Sequence, residues 1–255
     1  MKYATGLDRA DLLALLAKFH LRQDVSHYPI AETYLTEAIA IQESVGVGST
    51  KEVADLYTEL GRCYKLLDTS KLMARGRGGQ EEVTRDDRIL KVFRLSLDIY
   101  LRIERSTHPR VMRAKVEVAN LLRLDNRFDE AAELFKEVLE AAEFLGDAEG
   151  KIGALFNLAT VSEAQGDIDG ALRDLKKALE ICRREYGDGG LEQIALLSNL
   201  SRLKEKQELF KEALEYATKA KDVFEAKKHQ GSDYEQAAEA VFRLAQKTSA
   251  STSVK

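Results

Sequence analysis

The chain has 255 residues, 44% hydrophobic and 32% charged, with a formal net charge of −4. This is the balance of a soluble helical protein, and its acidity argues against bulk nucleic-acid binding. No apolar run approaches the ~18 residues of a membrane span, and acidic residues interrupt the apolar positions of MKYATGLDRADLLALLAKF, which therefore lacks a signal-peptide layout.

In chain order, DLLALLAKFHL and PIAETYLTEAIAIQE read as a first helical pair, with Ala17, Ala31 and Ala38 in its small positions. LYTELGRCYKLL starts a second pair, carrying Leu60, Gly61 and Tyr64. Its partner helix, RILKVFRLSLDIYLRIE with Phe93 and Ser96, comes only after DTSKLMARGRGGQEEVTRDD. That stretch, 68–87, has three glycines, mixed charge and no apolar period, and is expected to be a mobile insertion. Three further pairs repeat one pattern, anchored at Ala131, Ala171 and Ala213, with spacings of 40 and 42 residues. Such a period with two helices per unit signals an α-solenoid. In the pair around Ala171, Leu155, Leu158, Ala159 and Ser162 make one face of the first helix. Gly166 supplies a left-handed C-cap, and Asp167 caps a second helix whose inner face carries Ala171, Leu175, Ala178 and Cys182. Finally SDYEQAAEAVFRLAQ reads as a helix covering the last apolar face, and TSASTSVK as a disordered tail.

The order of small and large residues resembles tetratricopeptide repeats. Leu158, Ala159, Gly166, Ala171, Leu175 and Ala178 match the motif's successive positions. So do Val118, Ala119, Leu122, Ala131, Phe135 and Val138, and Leu200, Ser201, Ala213, Ala217 and Ala220. The long period, with ALEICRREYGDGGLEQIALLSNL and the His-Pro-x-Val step of THPRVMRAKVEVANLL, is similar to the repeats of kinesin light chains and nephrocystin-like adaptors. The resemblance implies an all-α, right-handed superhelical α-solenoid of about five helical hairpins plus a C-terminal capping helix. It would span 1–248, with repeats at about 8–44, 50–105, 109–145, 148–186 and 190–226, a cap at 231–248 and a tail at 249–255.

No catalytic, cofactor or metal constellation stands out. His20, His27, His108 and His229 are scattered; none forms an i, i+4 pair, and no CxxC occurs. His20 takes the place of a packed aromatic and His108 belongs to the turn before Pro109. ARGRGGQ lacks the strand, lysine and hydroxyl of a phosphate-binding loop. Cys63 and Cys182 lie in different repeats, as suits two reduced thiols in a reducing, cytoplasmic compartment.

The first helix of each hairpin would line a concave groove. One step before the matched Leu158 stands Asn157, and Asn199 is its equivalent; Glu59 and Glu117 hold this place earlier. An amide there both donates and accepts, so it can grip an extended peptide's backbone. The same counting turns Lys18, Arg62, Lys65, Arg113, Asn120, Arg123, Arg202 and Lys206 inward, against Glu59, Glu117, Glu163 and Glu205. A mildly basic groove steers acidic peptides. The expected function is a non-catalytic scaffold or adaptor holding a peptide or helix of another protein, without nucleic acid or membrane insertion. By resemblance the setting would be a motor, cytoskeletal or ciliary complex. An RNA-binding solenoid needs a strongly basic groove with stacking aromatics, and an enzyme needs a site with perturbed groups in reacting geometry; both are weaker alternatives.

Overall fold

In the computed structural model, residues 2–74, 87–190, 192–226 and 232–253 are described, and they contain eleven α-helices and no strand. They divide into two compact units, Met1–Asp125 and Asn126–Lys255.

The first unit holds α1 (Lys2–His20), a short 3-10 turn (Val25–His27), α2 (Tyr28–Ser44), α3 (Lys51–Ala74), α4 (Asp87–Ile103) and α5 (Pro109–Leu124). Each helix packs mainly on its neighbours in sequence. Ala17, Ala31, Leu35 and Ala38 are fully buried between α1 and α2. Gly61 and Phe93 hold α3 against α4: a Cβ on Gly61 would lie 2.6 Å from the Phe93 ring, which is itself 1% exposed. Ser96 strengthens that contact, its hydroxyl donating to Ala54 O at 2.8 Å. His108 caps α5 by accepting from Arg110 N at 3.3 Å, with Pro109 at the first helical position. His20, half-buried, stacks on His27 with ring centroids 5.3 Å apart.

The second unit holds α6 (Phe128–Leu145), α7 (Ala148–Ala164), α8 (Ile168–Tyr186), α9 (Glu192–Lys206), α10 (Phe210–Ala226) and α11 (Ser232–Ser253). Gly166 sits at φ +85 after α7, and Asp167 then accepts from Gly170 N at 2.8 Å to start α8. Ala171, Leu175, Ala178 and Cys182 are all buried and share one cluster with Leu155, Ala159, Leu196 and Leu200. Leu244 of α11, 1% exposed, closes a second cluster with Ala213 and Ala217. Both cysteines are free and buried, and burial pushes the Cys63 thiol up to about 12.

Two sequence boundaries need correction. The stretch from Asp68 does not leave the helix, because α3 continues to Ala74; its leucine, methionine and alanine favour helix, and Thr69 donates back to Lys65 O at 2.8 Å. Residues 75–86 of the expected insertion lie outside the described residues, as does His229, and Asp87, the insertion's expected last residue, already begins α4. The expected tail from Ser249 is helical through Ser253. Loss of apolar period does not stop a helix already propagating, and Thr248 and Ser249 donate to Leu244 O and Ala245 O.

Ala171→Leu should destabilise the second unit by ~1–3 kcal/mol through overpacking, because the site is fully buried. Thermal denaturation followed by circular dichroism reads this directly, and an unchanged midpoint would show that the α7–α8 contact is not tight there.

Candidate functional site

The first helix of each hairpin turns one row of polar side chains outward. In the second unit that row forms a linked series of ion pairs. Glu163 of α7 receives both Arg202 and Lys206 of α9, with the Arg202 Nη2 to Glu163 Oε2 distance 2.6 Å. One period later, Glu205 of α9 receives Arg243 at 2.9 Å and Lys247 at 2.7 Å from α11. The acids are 42 residues apart, and each base is 41 from its counterpart. α11 therefore has the register of a further first helix. Each triad carries one carboxylate and two cations, so the row keeps net positive charge after pairing.

The Arg202 guanidinium bonds hold the Glu163 carboxyl down at about 2 against the opposing effect of burial, with Lys206 adding to the depression. Lys247 and Arg243 likewise hold Glu205 below its ordinary range.

Between α9 and α11, over α10, an open cleft of about 840 Å³ is sunk into the second unit. Its lining includes the small side chains of Ser201, Ala217 and Ala220 beside the rings of Phe224 and Tyr234, and Arg202 and Arg243 share it with Glu205 and Asp233. Ser201 is held down by donating to Ala213 O at 2.8 Å. Small residues are required here for the helices to approach, and the same smallness leaves the hollow between neighbouring first helices.

Among the expected groove residues, Asn199, Arg202 and Lys206 come together around Glu163. The Asn199 amide donates to Ala195 O at 2.8 Å and its oxygen accepts from Arg202 at 3.0 Å. One N–H and one lone pair of that amide remain for a ligand. Asn157 is half-buried at the equivalent place on α7. In the first unit, Arg62 pairs with Glu59 at 3.2 Å, and Lys65 reaches Glu117 at 3.0 Å, tying α3 to α5. Lys18 and Arg113 are exposed, Asn120 is half-buried, and Arg123 keeps a buried Nε without a hydrogen-bond partner among the described residues. The cleft itself, with Arg243 and the α11 wall, was not foreseen. Its signal was the recurrence of Glu163, Arg202 and Lys206 as Glu205, Arg243 and Lys247. Among the described residues no group of acidic, histidine or cysteine side chains is arranged to hold a metal, and no helix is long and apolar enough to cross a membrane.

Residues 151–226 match the family model of the tetratricopeptide repeat, and that stretch contains such repeats. Among solved structures it is similar to a kinesin-light-chain protein of Podosopora anserina with nearly identical TPR-like repeats (TM-score 0.68, 18% identity, 88% of this chain and 99% of that one). It is also similar to aspartyl phosphate phosphatase F of Bacillus subtilis (0.67, 14%, 97% of this chain and 62% of that one). A third is a Rap protein complexed with competence and sporulation factor (0.59, 15%, 94% and 58%). At these identities the likeness concerns the fold. Among curated proteins nothing matches the sequence. Tetratricopeptide repeats generally bind other proteins and are generally non-catalytic, while one neighbour here bears a phosphatase's name.

Replacing Glu163 with Gln should lower stability at neutral pH by only about 1 kcal/mol, because solvent screens the partly exposed cations of the triad. The carboxyl's folded value lies at about 2 against an ordinary 4.5. Its contribution is therefore complete above about 4.5 and fades as pH falls towards about 2. Wild type and variant should thus converge across that window in pH-dependent chemical denaturation. A stability gap that persists at pH 2 would mean that the ion triad is not its source.

Proposed function

We propose that this chain is a non-catalytic scaffold that holds an extended peptide or helical segment of another protein along the outward row of its first helices, seated in the cleft over α10. The observation that carries the reading is the combination of a hollow lined in part by small side chains with triads that each keep a net positive charge. The hollow takes an anchoring side chain, and the residual charge favours partners with acidic residues beside that anchor. Asn157 and Asn199 grip the partner's backbone beside it. Arg62, Lys65, Arg113, Asn120 and Arg123 form the corresponding row of the first unit. The Rap protein's complex with competence and sporulation factor is a precedent on a similar fold. A motor, cytoskeletal or ciliary setting fits the kinesin-light-chain likeness. Few aromatics accompany the row among the described residues, Phe156 on α7 and Phe224 and Tyr234 at the cleft, against the series of stacking platforms that single-stranded RNA needs.

Peptides selected from a random display library for binding to the chain should be enriched in acidic residues. Ser198, exposed at the cleft, is the place to block it. Calorimetry should show Ser198→Trp weakening the selected peptides by about tenfold or more, the effect of losing a buried anchor. Asn157→Ala and Asn199→Ala should each cost about 1 kcal/mol of binding without lowering the melting temperature. Glu215→Trp, on the exposed side of α10, should leave affinity unchanged. Selected peptides that bind Ser198→Trp and the double asparagine variant as tightly as wild type would overturn the reading.

A further inference from the structure

The register of α11 leaves a question on its outer side. In α9 the side chain at the small position, Ser201, is 6% exposed because α10 packs over it. The residue 41 positions on is Phe242, and it is 66% exposed. On α11, then, the side on which α9 receives its partner helix faces solvent among the described residues. That side runs through Glu235, Ala238, Glu239, Phe242, Ala245 and Gln246, with the acids in its N-terminal half.

A matching surface lies on α1. Leu12, Leu15, Leu16 and Phe19 are 57%, 65%, 37% and 58% exposed and recur at the three- and four-residue spacing of one helical face. Asp8, Arg9 and Asp11 lie near its start, with Arg9 already paired with Glu37, and Lys18 and Arg22 near its end. Four large apolar residues turned to water on one face of a helix mark an interaction surface.

We propose that the chain associates head to tail with a second copy of itself, α1 of one copy docking antiparallel on the exposed side of α11 of the next. Size and charge both select this occupant. The leucines and Phe19 of α1 fit the gaps that Ala238 and Ala245 leave on either side of Phe242. In the antiparallel orientation, Lys18 and Arg22 come to the end of α11 that carries Glu235 and Glu239. A parallel orientation would bring Asp8 and Asp11 there instead, like charge on like. Because the two surfaces differ, the contact is heterologous, and each copy keeps one unused surface after binding. Growth beyond a dimer follows unless the rotation closes a ring.

Sedimentation velocity on the full chain, up to about 500 µM, tests this, since weak helix–helix contacts are populated only at such concentrations. The wild type should increase in mass beyond a dimer, and added salt should weaken the association. Leu15→Glu and Phe242→Glu should each be monomeric alone at the same concentration. Mixed, they should form a one-to-one dimer and nothing larger, because each retains the surface the other has lost. Circular dichroism confirms that each variant is folded. Phe19→Glu and Phe242→Ser serve as the second variant on each surface. A wild type that stays monomeric throughout overturns the proposal. So does a Phe242→Glu protein that still self-associates, which would mean that α1 pairs with α1, and so does a mixture that remains monomeric.

Discussion

Everything in this structure depends on how closely two helices of a hairpin can approach. Where they touch, the chain places alanine, serine or glycine. Between α3 and α4 the constraint is visible in one pair: Gly61 has no side chain because the Phe93 ring occupies the space where a Cβ would stand. Around Ala171 the same end is reached with small residues on both helices, Ala159 and Ala171 sharing one buried cluster. Close approach buries a continuous apolar seam along each hairpin and leaves the outward row of the first helix for polar work. It also produces the cleft, since Ser201, Ala217 and Ala220 in its lining stand lower than larger side chains would.

The outward row is organised by charge. A lone carboxylate paired with one surface lysine contributes little, but Glu163 and Glu205 each receive two cations from the next first helix. That links α7 to α9 and α9 to α11 at the repeat interval. The same pairing tempers the electrostatics of the groove. Arg202, Lys206, Arg243 and Lys247 are not four loose positive charges awaiting an acidic ligand. They are two triads of modest net charge, and an incoming carboxylate has to share cations already engaged.

Much of this could be read from the sequence. The helices followed from apolar period, and the α7–α8 turn from Gly166 and Asp167. The buried face of α8 was named residue by residue. Two boundaries failed for one physical reason. Where the apolar period lapsed, after Leu67 and after Thr248, the chain was expected to leave the helix, yet a backbone ladder already propagating carried it on, helped in α3 by Leu72, Met73 and Ala74. The individual groove cations were named, but their partners were not. Pairing depends on which side of each helix faces its neighbour one repeat away, and a single repeat's motif does not contain that. The exposed α1 stripe was hidden for the opposite reason: Leu12, Leu15, Leu16 and Phe19 have the spacing of a core face, and only the packing shows that the core lies on the side of Ala10, Leu13 and Ala17. The division between Asp125 and Asn126 had no sequence signal, since it falls within a pair whose motif is regular.

A double-mutant cycle on Gly61 and Phe93, read as unfolding free energy, tests the dependence on close helix approach most directly. Gly61→Ala alone should destabilise by ~1–3 kcal/mol, because the buried ring has nowhere to move. In a Phe93→Leu background the same alanine should cost little, giving a coupling of about 1 kcal/mol or more. Strictly additive effects would contradict the account, for they would mean that Gly61 and Phe93 do not limit how near α3 and α4 can come.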